Sequence, residues 1–125
     1  MVVVFTADIP DDSPYRVDGL LYRFILPACT DLPDEDASPR AWLETLGVPR
    51  EPTPQFILIA DPFTSPTAEI LESLEMVAPG VPAVGALASG ARRPGGHVLA
   101  LNDTLHRSGL VGVSLAGNLR ADVLV

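Results

Sequence analysis

The 125-residue sequence contains no lysine: its eight bases are all arginine, and sixteen acids bring the net charge to −8. An acidic surface repels phosphate backbones, and the one adjacent basic pair, Arg92-Arg93, is not the basic stripe that a nucleic-acid reader requires. Nucleic acid is not an expected partner. Cysteine is almost absent too. The single residue, Cys29, excludes an internal disulfide and any multi-cysteine metal site, and it suits a reducing compartment, so the cytoplasm is the expected location. Long hydrophobic runs are also missing. The uncharged stretch from Val77 to Ala91 is broken by Pro79, Gly80, Pro82, Gly85 and Gly90 and is too short to span a bilayer, so no membrane segment is expected. The apolar Met1-Val2-Val3-Val4-Phe5 has no basic flank before it and runs at once into Asp8, Asp11 and Asp12, which is not a secretory leader.

What is present is a globular composition, 47% hydrophobic and 19% charged, in a chain with room for one core. Residues 1–26 read as a strand pair, Val2 to Thr6 and about Leu20 to Leu26, both β-branched or aromatic. Residues 27–55 form an acidic, proline-rich connection. Within it Ser38 is placed to cap a short helix that starts at Pro39, buries Trp42 and stops at Gly47. Residues 56–125 are more regular. Phe56 to Ala60 is a continuous apolar run suited to a central strand. After Asp61-Pro62-Phe63-Thr64 turns the chain, Ser65 and Pro66 open a helix with Ile70, Leu71, Leu74, Val77 and Ala78 on one face and Glu69, Glu72 and Glu75 on the other. Ala83 to Leu87 comes next as a second apolar strand, completing a βαβ unit with parallel strands. His97 to Leu101, Leu110 to Ala116 and Ala121 to Val125 then form an antiparallel extension, with Asn102 to Gly109 as a polar loop and Gly117-Asn118 as a turn. The fold class is α/β: a mixed sheet with a βαβ unit and an antiparallel C-terminal extension, in one domain.

Candidate chemistry is sparse. Gly85-Ala86-Leu87-Ala88-Ser89-Gly90 has the outer glycines of a phosphate loop, but Arg92-Arg93-Pro94-Gly95-Gly96 stands where a lysine and a helix are required. The small residues instead permit close backbone packing or approach of a small ligand. Gly112-Val113-Ser114-Leu115-Ala116 nearly matches a hydrolase nucleophile elbow, yet no histidine comes after it, and Ser114 reads as a strand serine. His97 and His106 lack the tight spacing of a metal pair and read as surface or strand-end residues, with haem or metal ligation left open. Cys29 reads as a buried thiol, and Asp31, Asp34, Glu35 and Asp36 as a solvated loop without the glycine and terminal glutamate of a calcium site. No metal, no cofactor and no catalytic set is expected. Asp61 is different, because it ends the central strand on the side where open α/β sheets bind ligands. If the two strands are parallel, the 85–90 segment emerges at the same rim. The plainer reading, that Asp61 only braces its turn, stands beside this one.

The blocks Ile57 to Thr64, Pro79 to Gly90, Gly95-Gly96, Leu101-Asn102-Asp103 and Gly109 to Gly117 resemble, in order and spacing, the amino-terminal FIST domain family. The resemblance covers about half of the chain strongly and is compatible with Val2 to Leu26 as an earlier strand pair. It implies an intracellular sensory module that binds small ligands such as amino acids, signalling in bacteria and serving ubiquitin-ligase adaptors in eukaryotes. Family domains usually carry a preceding Gly-Cys-Ser/Thr-type segment and a carboxyl-terminal domain after it. Neither is matched here, and Ala86 stands where a glycine is common, so the chain resembles the second half of one domain.

The expected function is small-ligand sensing, with Asp61, Gly85, Ser89, Gly90, Arg92 and Asn102 bordering the pocket. Backbone amides of the 85–90 segment and Arg92 would receive a carboxylate, and Asp61 an amine. The rival expectation is a protein interaction or assembly module that meets a signalling partner or a second copy through unpaired edges of the first and last strands. An enzyme is not expected, since no nucleophile, base and orienter occur together.

Overall fold

The computed structural model describes residues 2–7, 21–26, 32–34, 36–117 and 119–124. The expected turn at 8–12, Cys29, Asp31, Glu35 and Asn118 lie outside the described residues. The elements run β1 (Val2–Ala7), β2 (Leu21–Leu26), α1 (Pro39–Leu46), β3 (Gln55–Ala60), α2 (Thr67–Val77) and β4 (Ala83–Leu87). They continue with β5 (Leu99–Leu101), β6 (Thr104–His106), β7 (Leu110–Leu115) and β8 (Leu119–Leu124).

The main sheet has four strands in the order β2-β7-β3-β4. Strands β3 and β4 are parallel, with Phe56 beside Ala83 and Ala60 beside Leu87, and α2 connects them as the expected βαβ unit. Strand β7 runs antiparallel to both β2 and β3. Alternation on β3 decides the core: Phe56, Leu58 and Ala60 are buried in the cluster that holds Trp42, Ile70 and Leu74 from the helices, whereas Ile59 is 46% exposed. A truncation such as Ile70→Ala would remove a side chain that is 1% exposed, a change that costs about 2–5 kcal/mol.

Local signals set the helix ends. The Ser38 hydroxyl accepts from the Ala41 N–H, Pro39 occupies the first turn, and Gly47 closes α1 at φ 65°, the left-handed region that glycine adopts without a Cβ penalty. Helix α2 starts later than the sequence suggests: Pro66 is the flanking residue, and no side chain caps the first turn. Leu71, expected on the core face, is 39% exposed beside β4.

Two expectations about strands are corrected. The strand pair expected within residues 1–26 is not formed: β1 pairs with β8, antiparallel, from Val2 opposite Leu124 to Ala7 opposite Leu119, whereas β2 pairs with β7. The ladder runs the full length of both strands. The polar loop after Leu101 also contains a strand. Thr104 to His106 folds back on Leu99 to Leu101 as a hairpin, and Asn102 takes φ 53° at its turn, a conformation asparagine tolerates better than most residues.

Candidate functional site

The parallel pairing brings the ends of β3 and β4 to one rim, because the Ala88 N–H donates to the Ala60 carbonyl at 2.9 Å, one step past the ladder. Asp61 leaves β3 here and is fully buried. Its backbone N–H donates to the Gly109 carbonyl (2.9 Å), and its carbonyl accepts from Thr64 and Ser65, which closes the turn. Its carboxylate takes more partners. The Thr64 hydroxyl donates to Oδ2, while Oδ1 accepts from the His97 Nδ1–H at 2.8 Å and, at 3.5 Å, from the Phe63 N–H. Thr64 Oγ1 also accepts from the Gly109 N–H at 2.8 Å, so one hydroxyl links the turn to the start of β7.

His97 is the part that sequence reasoning placed wrongly. It is 6% exposed rather than a surface residue, and the Phe63 ring stacks on it at 5.7 Å between centroids. The Ala91 N–H donates to His97 Nε2 at 3.1 Å. An amide donor on Nε2 requires a lone pair there, which fixes the ring as the neutral tautomer with its proton on Nδ1, facing Asp61. The same bond holds the middle of the 88–96 loop against the end of β3. Burial by itself pushes the Asp61 carboxyl upward. The hydrogen bonds from Thr64, His97 and Phe63 outweigh that and keep it below its ordinary 3.8.

Next to this network lies a cleft of about 270 Å³ between α2 and the edge strand. Leu58, Ala60 and Gly85 lie along its floor, Thr67 and Leu71 come from α2, and Leu87 stands at the rim, 54% exposed. Gly85 has a specific steric role, since a Cβ at that position would collide with the Leu58 carbonyl of β3. The lining is apolar except for the Thr67 hydroxyl.

The six sequence-predicted site residues therefore separate. Gly85 lines the cleft, and Ser89, Gly90 and Arg92 are on the loop that His97 holds, all three exposed. Asn102 sits at the β5–β6 turn. Asp61 adjoins the rim, but both of its oxygens already accept hydrogen bonds and it is sealed from solvent, so it braces the rim instead of offering a carboxylate to an amine. Ser114 lies fully buried on β7 opposite Phe56, and the chain continues from it through a bend into another strand, not into the helix of a nucleophile elbow. The 85–90 segment likewise leads into loop and strand, not into the helix of a phosphate site.

Sequence reasoning missed Thr64, His97, Thr67 and Leu71. Thr64 had a local signal, an Asp and a Thr three residues apart in a turn. His97 had none, because its partner is 36 residues away. Among the described residues no group of three or more histidine, cysteine or acidic side chains is arranged to hold a metal ion.

The family model described as the FIST N domain matches residues 4–125. That match extends beyond the blocks that carry the resemblance and takes in the region of β1 and β2. Comparison with curated proteins and with solved structures finds no match.

Proposed function

The chain belongs to the FIST N domain family, one of signal-transduction sensory domains, and from that membership we propose that it binds a small, amino-acid-sized ligand as an intracellular, cytoplasmic sensor. The observation that carries this reading is the apolar cleft of about 270 Å³ that runs between α2 and the edge strand β4 and reaches Ala60 and Leu87 at the carboxyl ends of the strands, the side where open α/β sheets take their ligands. Its size suits one amino acid and falls just below the roughly 300–1,000 Å³ of drug-sized sites. Leu58, Leu71 and Leu87 favour an apolar side chain. The adjoining loop supplies Arg92 and the amides of Ser89 and Gly90 to a carboxylate, while Asp61 and His97 hold that loop in place. Among the described residues no helix is long and apolar enough to cross a membrane.

The same geometry supports a binding role over an enzymatic one. Asp61 and His97 have the relative placement of orienter and base, but the lone pair on Nε2 that would take a proton is occupied by the Ala91 N–H. Thermal-shift measurements with each of the twenty amino acids test the proposal. At least one apolar amino acid should raise the melting temperature, and Leu71→Trp, which fills the cleft from a partly exposed position, should abolish the rise. Flat curves for the whole set would overturn it.

A second reading, an assembly module, is favoured by one feature: β4 is an edge of the main sheet, and its Leu87 is 54% exposed. Light scattering behind size exclusion separates the two. A concentration-independent monomer that binds ligand leaves the sensor reading alone, and a dimer broken by Leu87→Pro, at a position whose N–H faces away from β3, supports assembly through β4.

A further inference from the structure

We infer that His97 is a proton-operated latch on the Ala88–Gly96 loop, releasing the loop when its ring takes up a second proton. The latch acts on the loop that the proposed sensor would use, but it does not require the cleft to be occupied. Its basis is the two different partners of one buried ring. Nδ1–H donates to the Asp61 carboxylate at 2.8 Å, and Nε2 accepts from the Ala91 N–H at 3.1 Å. Uptake of a proton can occur only at Nε2, the site that carries the lone pair. The Asp61 bond then persists and becomes charge-assisted. The Ala91 bond cannot persist, because two N–H groups would face each other.

Protonation thus acts on one side only. The ring stays with Asp61 and Phe63 at the end of β3, and the loop loses its tie. The surrounding charges do not cancel this asymmetry. Among the described residues Asp61 is the ionisable group hydrogen-bonded to the ring; Arg92 and Arg93 are exposed on the loop, and Arg107 reaches the Gly95 carbonyl from outside at 3.4 Å. In the open state a cationic ring would also repel the arginines of the loop it had held. The loop has the backbone freedom to move. Gly90 and Gly95 adopt φ 104° and 75°, and they lie on either side of Arg92-Arg93. Beyond the Ala91 bond, the loop is tied by the Ala88 N–H on Ala60 at its start and by the weak Arg107 contact near its end. Opening between these points moves Gly90 and Arg92, on the loop that follows the cleft-lining strand β4.

Nitrogen-15 NMR of the whole chain, titrated from about pH 8 to about pH 5, tests the inference. At the upper end the His97 ring should show a protonated Nδ1 and an unprotonated Nε2. As Nε2 protonates, the Ala91 amide resonance should move with the same midpoint and its exchange protection should fall about tenfold or more. The Asp61 amide, bonded to Gly109, should hold its protection. His97→Gln, which keeps a side-chain oxygen for Ala91 but cannot titrate, should leave the Ala91 resonance flat with pH. The wild-type titration decides the matter even if that variant does not fold. A neutral ring protonated on Nε2, a ring that stays neutral to about pH 5, or an Ala91 amide indifferent to the His97 titration would each overturn the latch.

Discussion

Replacing Asp61 by alanine should be among the most destabilising single changes in this chain, although the residue stands in a turn at the sheet rim. The carboxylate accepts from the Thr64 hydroxyl and the His97 ring, and less closely from the Phe63 N–H. Hydrogen bonds to a charged group contribute about 1.5–3 kcal/mol each, and of the donors stranded by alanine His97 is buried and Thr64 half-buried. His97, 6% exposed, would be left with an unpaired Nδ1–H, and Thr64 with a hydroxyl proton directed at a void. The expected loss is about 3–5 kcal/mol, a large part of the roughly 5–15 kcal/mol that holds a domain together. Asp61→Asn keeps one acceptor and should lose less, about 2–3 kcal/mol. Urea unfolding monitored by far-ultraviolet circular dichroism would measure both, with the midpoint falling and the slope unchanged. A loss below about 1 kcal/mol for Asp61→Ala would refute the reasoning, since it would mean that the carboxylate is not the hub that joins turn, loop and β7.

The geometry sets three further outcomes. Gly85→Ala drives a methyl group into the Leu58 carbonyl and should cost about 2–4 kcal/mol in the same urea experiment, far more than Ala86→Ser one residue on. Ser38→Ala removes the α1 cap and should cost about 1 kcal/mol, whereas Ser38→Asp should be close to neutral. Acid should weaken the wild type through Asp61. Its folded-state carboxyl lies below 3.8, so the stabilisation is complete above the unfolded value and is lost as pH falls through the folded one. Stability plotted against pH should therefore drop below about pH 4 more steeply for wild type than for Asp61→Asn.

The parts of the fold that were legible in the sequence are those written locally. Ser38-Pro39 and Gly47 bracket α1 because capping chemistry acts within a few residues. The βαβ unit is readable because an uninterrupted apolar strand, an amphipathic helix and a second apolar strand admit one simple connection. Pairings between distant segments were not legible. Nothing in Val2 to Ala7 specifies β8 over any other antiparallel partner, and the hairpin strand Thr104–His106 is too short and polar to display a period. The site divides in the same way. Parallel strands predict a shared rim for Asp61 and the 85–90 segment, and the Ala88–Ala60 bond realises it. The use of Asp61 as an internal brace depends on His97, which only the tertiary fold delivers.

The most direct measurement is a map of amide resonances on adding the amino acid that most raises the melting temperature. The account predicts that the largest changes fall in Thr67 to Leu71 and at Ala83 to Leu87, which line the cleft, and along the adjoining loop Ala88 to Arg92. Changes centred elsewhere, for example on α1 or the β5–β6 hairpin, with the cleft silent, would contradict it.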